Sequence, residues 1–265
     1  MTRTITHDSR TGPGLLRLRL PVGRVTISAA AEHQRATVRL TPQRADDQAA
    51  AEAIDRAEAS QSGDSLAVTV PHAAGASSHT VVHHGGGSVF VSQNARVVTG
   101  STSGVTITGD GAVIVGSGAA VITSGGAGGI DVEVTVPAGQ RVELDTDTAS
   151  ITSSGPLAAL HADTGSGDVR FTDADTAELS TGSGDLDAGR VGQLHARTGS
   201  GDITVRAATA ATTLRTGSGD VRVHLEADVP LRVRTGSGDI TATAAPGIRI
   251  DRTGLRTGSG DITTR

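Results

Sequence analysis

Serine and aspartate recur together in the second half of this sequence, in the pentapeptide Thr-Gly-Ser-Gly-Asp. The pentapeptide begins at six positions: Thr164, Thr181, Thr198, Thr216, Thr235 and Thr257. A serine with a suitable partner can act as a nucleophile, and a row of aspartates can bind a cation. The same residues can also form the corner of a repeating coil, in which case neither the serine nor the aspartate does chemistry.

Two short stretches look like catalytic motifs but lack the partners that the chemistry needs. Asp163 to Ser166 reads like the loop of an aspartic protease, which requires a second carboxylate to share a proton. The equivalent of Asp163 in the other repeats is serine or arginine. Gly63 to Leu66 reads like a serine-esterase motif, yet none of the nine histidines has an aspartate three residues earlier. We therefore predict no catalytic residues and no enzyme activity.

Neither a metal site nor a cofactor is predicted. The chain has no cysteine, which excludes thiolate ligands and disulfides. His72, His79, His83 and His84 lie in a glycine-rich stretch without carboxylates, which favours an exposed loop over a metal site. One aspartate per repeat matches Ca²⁺ poorly, because this cation takes about six to eight oxygen ligands. The candidates for Ca²⁺ are the aspartates of the repeat: Asp168, Asp185, Asp202, Asp220, Asp239 and Asp261.

Composition limits both the core and the partners. Only 36% of the 265 residues are hydrophobic, and Phe90 and Phe171 are the only aromatic residues. Because aromatic side chains usually supply much of a core, we expect a thin core of small and β-branched residues. All 23 basic residues are arginine, the net charge is −5, and the charges are mixed along the chain. That mixing predicts neither a nucleic-acid partner nor an anionic membrane partner.

The spacing of the pentapeptide predicts the fold. Successive copies are 17, 17, 18, 19 and 22 residues apart, and a degenerate copy begins 18 residues before the first, at Thr146. Hydrophobic and polar residues alternate around each copy, as in strands with one buried face. No single unit can bury its own apolar stripe, so the units must stack. We predict an all-β protein whose residues 130–265 form a parallel β-solenoid, right-handed, of about seven turns.

Each Gly-Ser-Gly is predicted to be the corner between two strands, because glycine tolerates positive φ angles. The corner glycines are Gly165, Gly167, Gly182, Gly184, Gly199, Gly201, Gly217, Gly219, Gly236, Gly238, Gly258 and Gly260. Stacking would place the aspartates about 4.8 Å apart, where carboxylates repel by about 1 kcal/mol. We expect two offsets: the aspartates cap backbone N–H groups of the bend, and an arginine ladder faces them. That ladder would consist of Arg197, Arg215, Arg234 and Arg256.

The first half of the chain is predicted to hold strands, one helix and an irregular segment. Residues 1–72 alternate as strands do around a helix at 46–60, with Asp46 or Asp47 as its N-cap and Gly63 after its end. Residues 73–129 hold valine-rich stretches about seven to nine residues apart, typical of hairpins or narrower coils. No stretch approaches the ~20 apolar residues that span a bilayer, and no signal peptide is recognisable. We therefore expect a cytoplasmic location.

The layout resembles the putative-adhesin β-strand repeat family, a bacterial domain of unknown function. The resemblance rests on Val68 to Pro71, on Val132 to Pro137 and on the serial Thr-Gly-Ser-Gly-Asp units, and it covers most of the chain. It implies a β-solenoid without established activity that associates with the cell envelope, and it transfers no catalytic residues. We expect a non-enzymatic scaffold or adhesin-like interaction protein. Its partner would be another protein or a second copy, bound at the solenoid faces or the C-terminal end.

Two alternative functions stay open at this point. The chain stops four residues after Asp261, so an uncovered last coil could template another copy, as in filaments similar to those of bactofilins. β-Helices also host carbohydrate-active enzymes, for which Asp185 and Asp187 would be the paired carboxylates. The lack of Trp and Tyr, the usual platforms for sugar rings, disfavours this enzyme.

Overall fold

The computed structural model describes residues 2–7, 14–72, 80–84, 88–93, 96–98, 106–108, 112–114 and 129–265. The N-terminal part contains β1 (Arg3–His7), β2 (Leu15–Ala30), β3 (Ala36–Pro42), α1 (Gln48–Asp55), β4 (Glu58–Ser62) and β5 (Ser65–Thr69). Short strands follow: β6 (Thr80–His84), β7 (Ser88–Gln93), β8 (Arg96–Val98), β9 (Thr106–Thr108) and β10 (Ala112–Ile114).

The repeat region begins with four longer strands: β11 (Ile130–Pro137), β12 (Gln140–Thr164), β13 (Val169–Thr181) and β14 (Leu186–Thr198). It continues as β15 (Ile203–Ala208), β16 (Thr212–Ser218), β17 (Val221–Leu225), β18 (Leu231–Ser237) and β19 (Ile240–Ala244). After a 3₁₀ turn at Arg252–Gly254, the last strands are β20 (Leu255–Ser259) and β21 (Ile262–Thr264).

The repeat region winds into stacked coils. β12 pairs in parallel with β13, and β13 with β14. Beyond β14 the sheet divides into two parallel branches, one through β15, β17, β19 and β21 and the other through β16, β18 and β20. Each later turn of the chain therefore adds one strand before the corner and one strand after it. The predicted all-β, parallel β-solenoid with a single helix is confirmed.

The register between coils follows the spacing of the repeat. Threonines of the pentapeptide lie opposite one another in successive coils, in the order Thr164, Thr181, Thr198, Thr216, Thr235 and Thr257. The longest interval is accommodated between β19 and β20, where Asp251 caps the 3₁₀ turn. The backbone N–H and then the hydroxyl of Thr253 lower the pKa of the Asp251 carboxyl. Extra residues thus form a loop without shifting the corner.

Strand β2 is a coil of the solenoid, which the sequence analysis missed. β2 pairs in parallel with β12 from Leu15, opposite Arg141, to Ser28, opposite Ser154. On its other side, β5 pairs with the first part of β2 and β11 with the second part. In space β2 therefore lies between β11 and β12, although it precedes both in the chain. One sheet of 16 strands runs through the N-terminal part and the repeat region.

Antiparallel strands cover the N-terminal end of this stack. β3 pairs antiparallel with β11, β1 with β3, and β4 with β5. Helix α1 buries Ala50, Ala53 and Ile54 completely. At the opposite end, and among the described strands, β20 pairs with β18 and β21 with β19, in both cases in parallel. The outermost described strands at the two ends of the solenoid therefore differ in direction.

The helix is shorter than predicted. It spans Gln48–Asp55 and not 46–60, and the Asp47 side chain caps it by accepting the Ala50 N–H at 2.9 Å. The helix prediction is wrong at its C-terminal end because residues 58–62 pair with β5 as a strand. Gly63, with a φ of 56°, forms the turn of that hairpin. No helix in the described part of the chain is long and apolar enough to cross a membrane.

Between residues 73 and 128, the described strands form hairpins. β6, β7 and β8 pair antiparallel in sequence order, and so do β9 and β10. Of the two predicted alternatives, hairpins therefore describe these strands. The last of the predicted valine-containing stretches, at 120–124, lies outside the described residues, as do His79 and the side chains of His83 and His84. His72 is described and exposed, and its Nε2 lies 2.8 Å from Asp147 Oδ2. For the other three histidines the predicted loop stays a prediction.

The core of the described residues is a narrow column of aliphatic side chains around the ring of Phe171. Among these residues Phe171 is the largest fully buried side chain, and it lies in register between Ser153 and Ala188 of the adjacent coils. These two small residues leave room for the ring in a core otherwise filled by Val, Leu, Ile and Ala. The core is thin, as the composition predicts. Phe171 fits into it because this large residue lies between small neighbours.

Candidate functional site

The threonine of the pentapeptide is buried and binds the preceding coil. Thr198 Oγ1 donates a hydrogen bond to the Gly184 carbonyl at 3.0 Å, and Thr216 Oγ1 donates to the Gly201 carbonyl at 3.0 Å. In the degenerate copy, the Thr146 hydroxyl is buried and has no partner among the described residues. The threonine of the complete pentapeptide therefore adds a hydrogen bond between coils. In the described part of the chain, the degenerate copy lacks this bond.

The two glycines of the pentapeptide allow neighbouring coils to approach closely. A Cβ atom on Gly201 would lie 2.1 Å from the Gly184 carbonyl oxygen, and one on Gly199 would lie 2.5 Å from the Gly182 oxygen. Among the twelve glycines, only Gly238 and Gly260 have φ in the left-handed region, at 153° and 144°. The reason given from the sequence, a positive φ, is therefore wrong for the others. Backbone proximity excludes a side chain at these positions.

The aspartates form a ladder of hydrogen bonds along the solenoid axis. In each step, Oδ1 of one aspartate accepts the backbone N–H of the aspartate in the next coil. The distances are 3.0 Å for Asp168 to Asp185, 2.9 Å for Asp185 to Asp202, 2.8 Å for Asp202 to Asp220, 3.0 Å for Asp220 to Asp239 and 2.8 Å for Asp239 to Asp261. The donor of each hydrogen bond is thus the backbone of another aspartate in the ladder. Charge-assisted hydrogen bonds of this kind offset the repulsion between stacked carboxylates.

The expected arginine ladder does not face the aspartates, so that hypothesis is wrong. Within the described ranges, neither Arg215 nor Arg234 forms an ion pair with an aspartate of the ladder, and the same holds for Arg197 and Arg256. These arginines point outward from the strand before the corner, whereas the aspartates follow the bend. Arg222, on the strand after the bend, contacts Asp220 at 3.0 Å and Asp202 at 3.6 Å instead.

Replacing Asp202 tests the ladder. We expect Asp202→Ala to lower the free energy of unfolding by about 1–2 kcal/mol, because the Asp220 N–H loses its acceptor in a partly buried corner. Asp202→Asn keeps an acceptor oxygen and should cost less than half as much. Urea unfolding of both variants measures the difference. Equal losses for Ala and Asn would show that the side-chain acceptor does not stabilise the corner.

The remaining candidate chemical groups are engaged in structural contacts. Asp187 lies between Arg170, at 3.0 Å, and Arg206, at 2.7 Å, and only 17% of its side chain is exposed. Its proposed catalytic partner, Asp185, accepts the Asp202 N–H. No group of three His, Asp or Glu side chains in the described residues is placed to hold a metal ion. The structure thus brings the six Ca²⁺ candidates into one row but not around a common centre.

A shallow depression on the outer face of β12, β13 and β14 gathers alternating acidic and histidine side chains. Its volume is about 320 Å³, and its lining includes Glu143, His161, Glu178 and His195. His161 Nδ1 lies 3.4 Å from Glu178 Oε2. The depression is open to solvent. Its acidic and histidine side chains alternate from one coil to the next, which suits contact with a partner at the surface.

One protein family matches this chain, and solved structures that align with it include two putative adhesins. Residues 92–264, more than half of the chain, match the model of the family Toastrack DUF4097. The solved structure of a putative adhesin from Bacteroides fragilis is similar, with a TM-score of 0.51 at 10% identity, over 100% of this chain and 97% of that one. A putative adhesin from Parabacteroides distasonis aligns with a TM-score of 0.33 at 10% identity, again over 100% and 97%.

At this low identity, the Bacteroides fragilis structure supports the fold alone. No curated protein matches the chain. The family match covers the hairpin region from β7 onward and all corners of the repeat, which confirms the resemblance drawn from the pentapeptides. The chain belongs to the Toastrack DUF4097 family.

Proposed function

We propose that this chain is a non-catalytic binding protein, a scaffold that engages its partner through the exposed columns of its solenoid faces. The observation that supports this most is the use of the Thr-Gly-Ser-Gly-Asp corner. Its threonine hydroxyls bind the preceding coil, as Thr198 does, and its aspartate carboxylates bind the next coil, as Asp202 does, so they are not assembled for catalysis.

The solenoid faces offer what a binding surface needs. In parallel coils, outward residues recur in register about every 4.8 Å, so one kind of contact can be repeated along a partner. His195, Thr213 and Arg232 form one such column, and Thr204, Arg222 and Thr241 form another. Proteins of similar fold have been described as putative adhesins, which supports an attachment role for this chain as well.

Neither alternative function has similar support. A filament of stacked copies needs two matching coil edges, whereas antiparallel strands β1, β3 and β4 cover one end of this stack. A carbohydrate-active enzyme needs a carboxylate pair that is free to act, whereas Asp187 is held between Arg170 and Arg206. Both ideas therefore lack a structural basis in the part of the chain described.

The proposal predicts that the chain binds a ligand and does not convert it chemically. The full chain, immobilised through an added terminal tag, would be exposed to purified surface polysaccharides and extracellular-matrix proteins. Biolayer interferometry records retention, and mass spectrometry of the eluted material records whether the ligand has been cleaved. We expect saturable retention of at least one ligand class, with the ligand recovered unchanged.

The heat-unfolded chain is the control for this experiment, because it keeps the composition but loses the columns. Equal retention by folded and unfolded chain would contradict binding through the solenoid faces. Progressive shortening or chemical change of a ligand would contradict the non-catalytic assignment. Absence of retention across both ligand classes would also overturn the proposal.

A further inference from the structure

Four arginines form an exposed row on the face of the solenoid that precedes the corner. We propose that this arginine row, made of Arg197, Arg215, Arg234 and Arg256, binds a linear anionic polysaccharide. The inference rests on the proposed binding function and names both its surface and the chemical class of its partner.

The row is straight because the register of the coils makes it so. Arg197 pairs with Arg215, Arg215 with Arg234, and Arg234 with Arg256, each across one parallel strand boundary. Parallel strands lie about 4.8 Å apart, so the row is about 14 Å long. All four side chains are exposed. The guanidinium groups therefore repeat along a line parallel to the solenoid axis.

The arginine row carries positive charge that neighbouring acids do not neutralise. No carboxylate in the described residues reaches ion-pair distance of the four guanidinium groups, and Arg197 Nε donates a hydrogen bond to the Ser180 hydroxyl at 3.3 Å. The same face is mixed in charge nearer the N-terminus, where Arg17 pairs with Glu143 at 2.6 Å, Arg19 pairs with Asp145 at 2.6 Å, and Asp163 lies opposite Ser180. Charges that are mixed along the chain are thus separated in space.

The column next to the arginine row, on the side away from the corner, has no acidic residue opposite Arg197, Arg215 and Arg234. In the adjacent outward column, the coils present His195, Thr213 and Arg232, none of which is acidic. On the other side, past the bend, the aspartate ladder accepts backbone N–H groups, as Asp202 does from Asp220. The stacked guanidinium groups repel one another, and a row of anions laid along them would relieve that repulsion.

An anionic polysaccharide fits the row better than a nucleic acid or a membrane does. Single-stranded nucleic acids are usually bound by several aromatic side chains that stack on the bases, whereas this chain has no Trp or Tyr and two Phe, of which Phe171 is buried. A membrane surface spreads its anions in two dimensions, whereas the arginines form one line. An extended glycan repeats its carboxylate or sulfate groups along a line, at a spacing comparable with one sugar ring.

Arginine suits this partner chemically. Its planar guanidinium donates two parallel hydrogen bonds to a carboxylate or a sulfate group, and it stays charged at every physiological pH. The repeated geometry allows several such contacts at once, so a long polymer binds more tightly than a single repeat of it. A ligand of this kind requires no pocket, which agrees with the flat face.

The test uses heparin as the anionic probe and dextran as the uncharged one. Isothermal titration would compare the full chain with a variant carrying Arg197→Gln, Arg215→Gln, Arg234→Gln and Arg256→Gln. We expect the wild-type chain to bind heparin but not dextran, and the variant to bind heparin about 100-fold more weakly. The slope of log affinity against log salt should fall by about two to three in magnitude.

A charge-matched variant controls for net charge: Arg24→Gln, Arg39→Gln, Arg44→Gln and Arg141→Gln, all exposed and outside the row. It should keep its heparin affinity to within about twofold to threefold, because it leaves the row intact. Circular dichroism and urea unfolding would show that both variants are folded. Equal weakening of heparin binding in the two variants would overturn the row as the site.

The outcome also separates this inference from the proposed function. If the chain retains ligands in the library experiment but the wild-type protein binds no heparin, the arginine row is wrong while the binding function stands. If neither experiment shows binding, both fail. Binding to single-stranded DNA or to anionic phospholipid vesicles, without binding to heparin, would overturn the polysaccharide assignment in favour of that other partner.

Discussion

Replacing Phe171 by alanine is expected to lower the free energy of unfolding by about 3–5 kcal/mol, the usual cost of removing a fully buried phenylalanine. Phe171 is the largest fully buried side chain among the described residues and is only 2% exposed. Its neighbours across the coils, Ser153 and Ala188, are too small to fill the space that the ring would leave. Urea unfolding followed by circular dichroism measures the loss.

Phe171→Leu is the matched control for this prediction. Leucine keeps most of the apolar volume, so the loss should be near 1 kcal/mol. A loss of less than about 1 kcal/mol for Phe171→Ala would mean that the coils close around the missing ring. That result would contradict the claim that backbone hydrogen bonds between coils fix the width of the core.

We expect Gly201→Ala to destabilise the chain by about 3 kcal/mol or more, through overpacking rather than through backbone strain. A methyl group at this position would lie 2.1 Å from the carbonyl oxygen and 2.7 Å from the carbonyl carbon of Gly184. Both atoms belong to the backbone of the preceding coil and cannot rotate away. The coils would have to separate locally, which breaks hydrogen bonds at the corner.

Ser200→Ala is the control for the glycine variant, because Ser200 is the exposed residue next to Gly201 in the same corner. Its effect on the free energy of unfolding should stay within about 0.5 kcal/mol. Thermal unfolding of both variants gives the comparison directly. A Gly201→Ala variant as stable as Ser200→Ala would contradict the close approach of coils at the pentapeptide.

Much of the solenoid could be predicted from the sequence because nearly the same residues recur at each corner. Identical pentapeptides at 17–22 residue intervals, with alternating apolar residues on both sides, allow few folds other than stacked coils. Strand β2 was not recognised as a coil of the solenoid because its corner reads Pro21-Val22-Gly23 and has no pentapeptide. Its place between β11 and β12 depends on pairing across more than a hundred residues, which local pattern does not encode.

The role of each corner residue was only partly predictable. The aspartates were expected to cap N–H groups of the bend, but the first five accept the N–H of the aspartate one coil later, as Asp202 does from Asp220. The glycines were assigned to positive φ, whereas the close carbonyl of the preceding coil is the cause at Gly201. Both errors arise because local turn chemistry was considered without the neighbouring coil.

The arginines show the same limit for function. From the sequence, Arg215 and Arg234 precede a corner and were expected to face its aspartates. In the structure, the strand before the corner directs them to the outer face, where they join Arg197 and Arg256 in one row. A charge pattern that is mixed along the chain thus becomes a segregated surface, and only the register of the coils reveals it.

Disulfide trapping tests the parallel register on which the whole account depends. The natural chain has no cysteine, so paired cysteines can be introduced cleanly. His195 and Thr213 lie opposite each other in adjacent coils, and Thr213 lies opposite Arg232 in the coil after that. The double variant H195C/T213C should oxidise to an internal disulfide, because neighbouring strands bring Cα atoms to about 4.8 Å.

The variant H195C/R232C should stay reduced under the same conditions, because two coils separate its Cα atoms by about 9.6 Å, beyond the reach of a disulfide. Mass spectrometry of tryptic fragments, without reductant, identifies the linkage. Bridging in H195C/T213C alone would establish the stacked columns that carry the proposed binding surface. Bridging in H195C/R232C alone, or equally in both, would contradict the register and the arginine row with it.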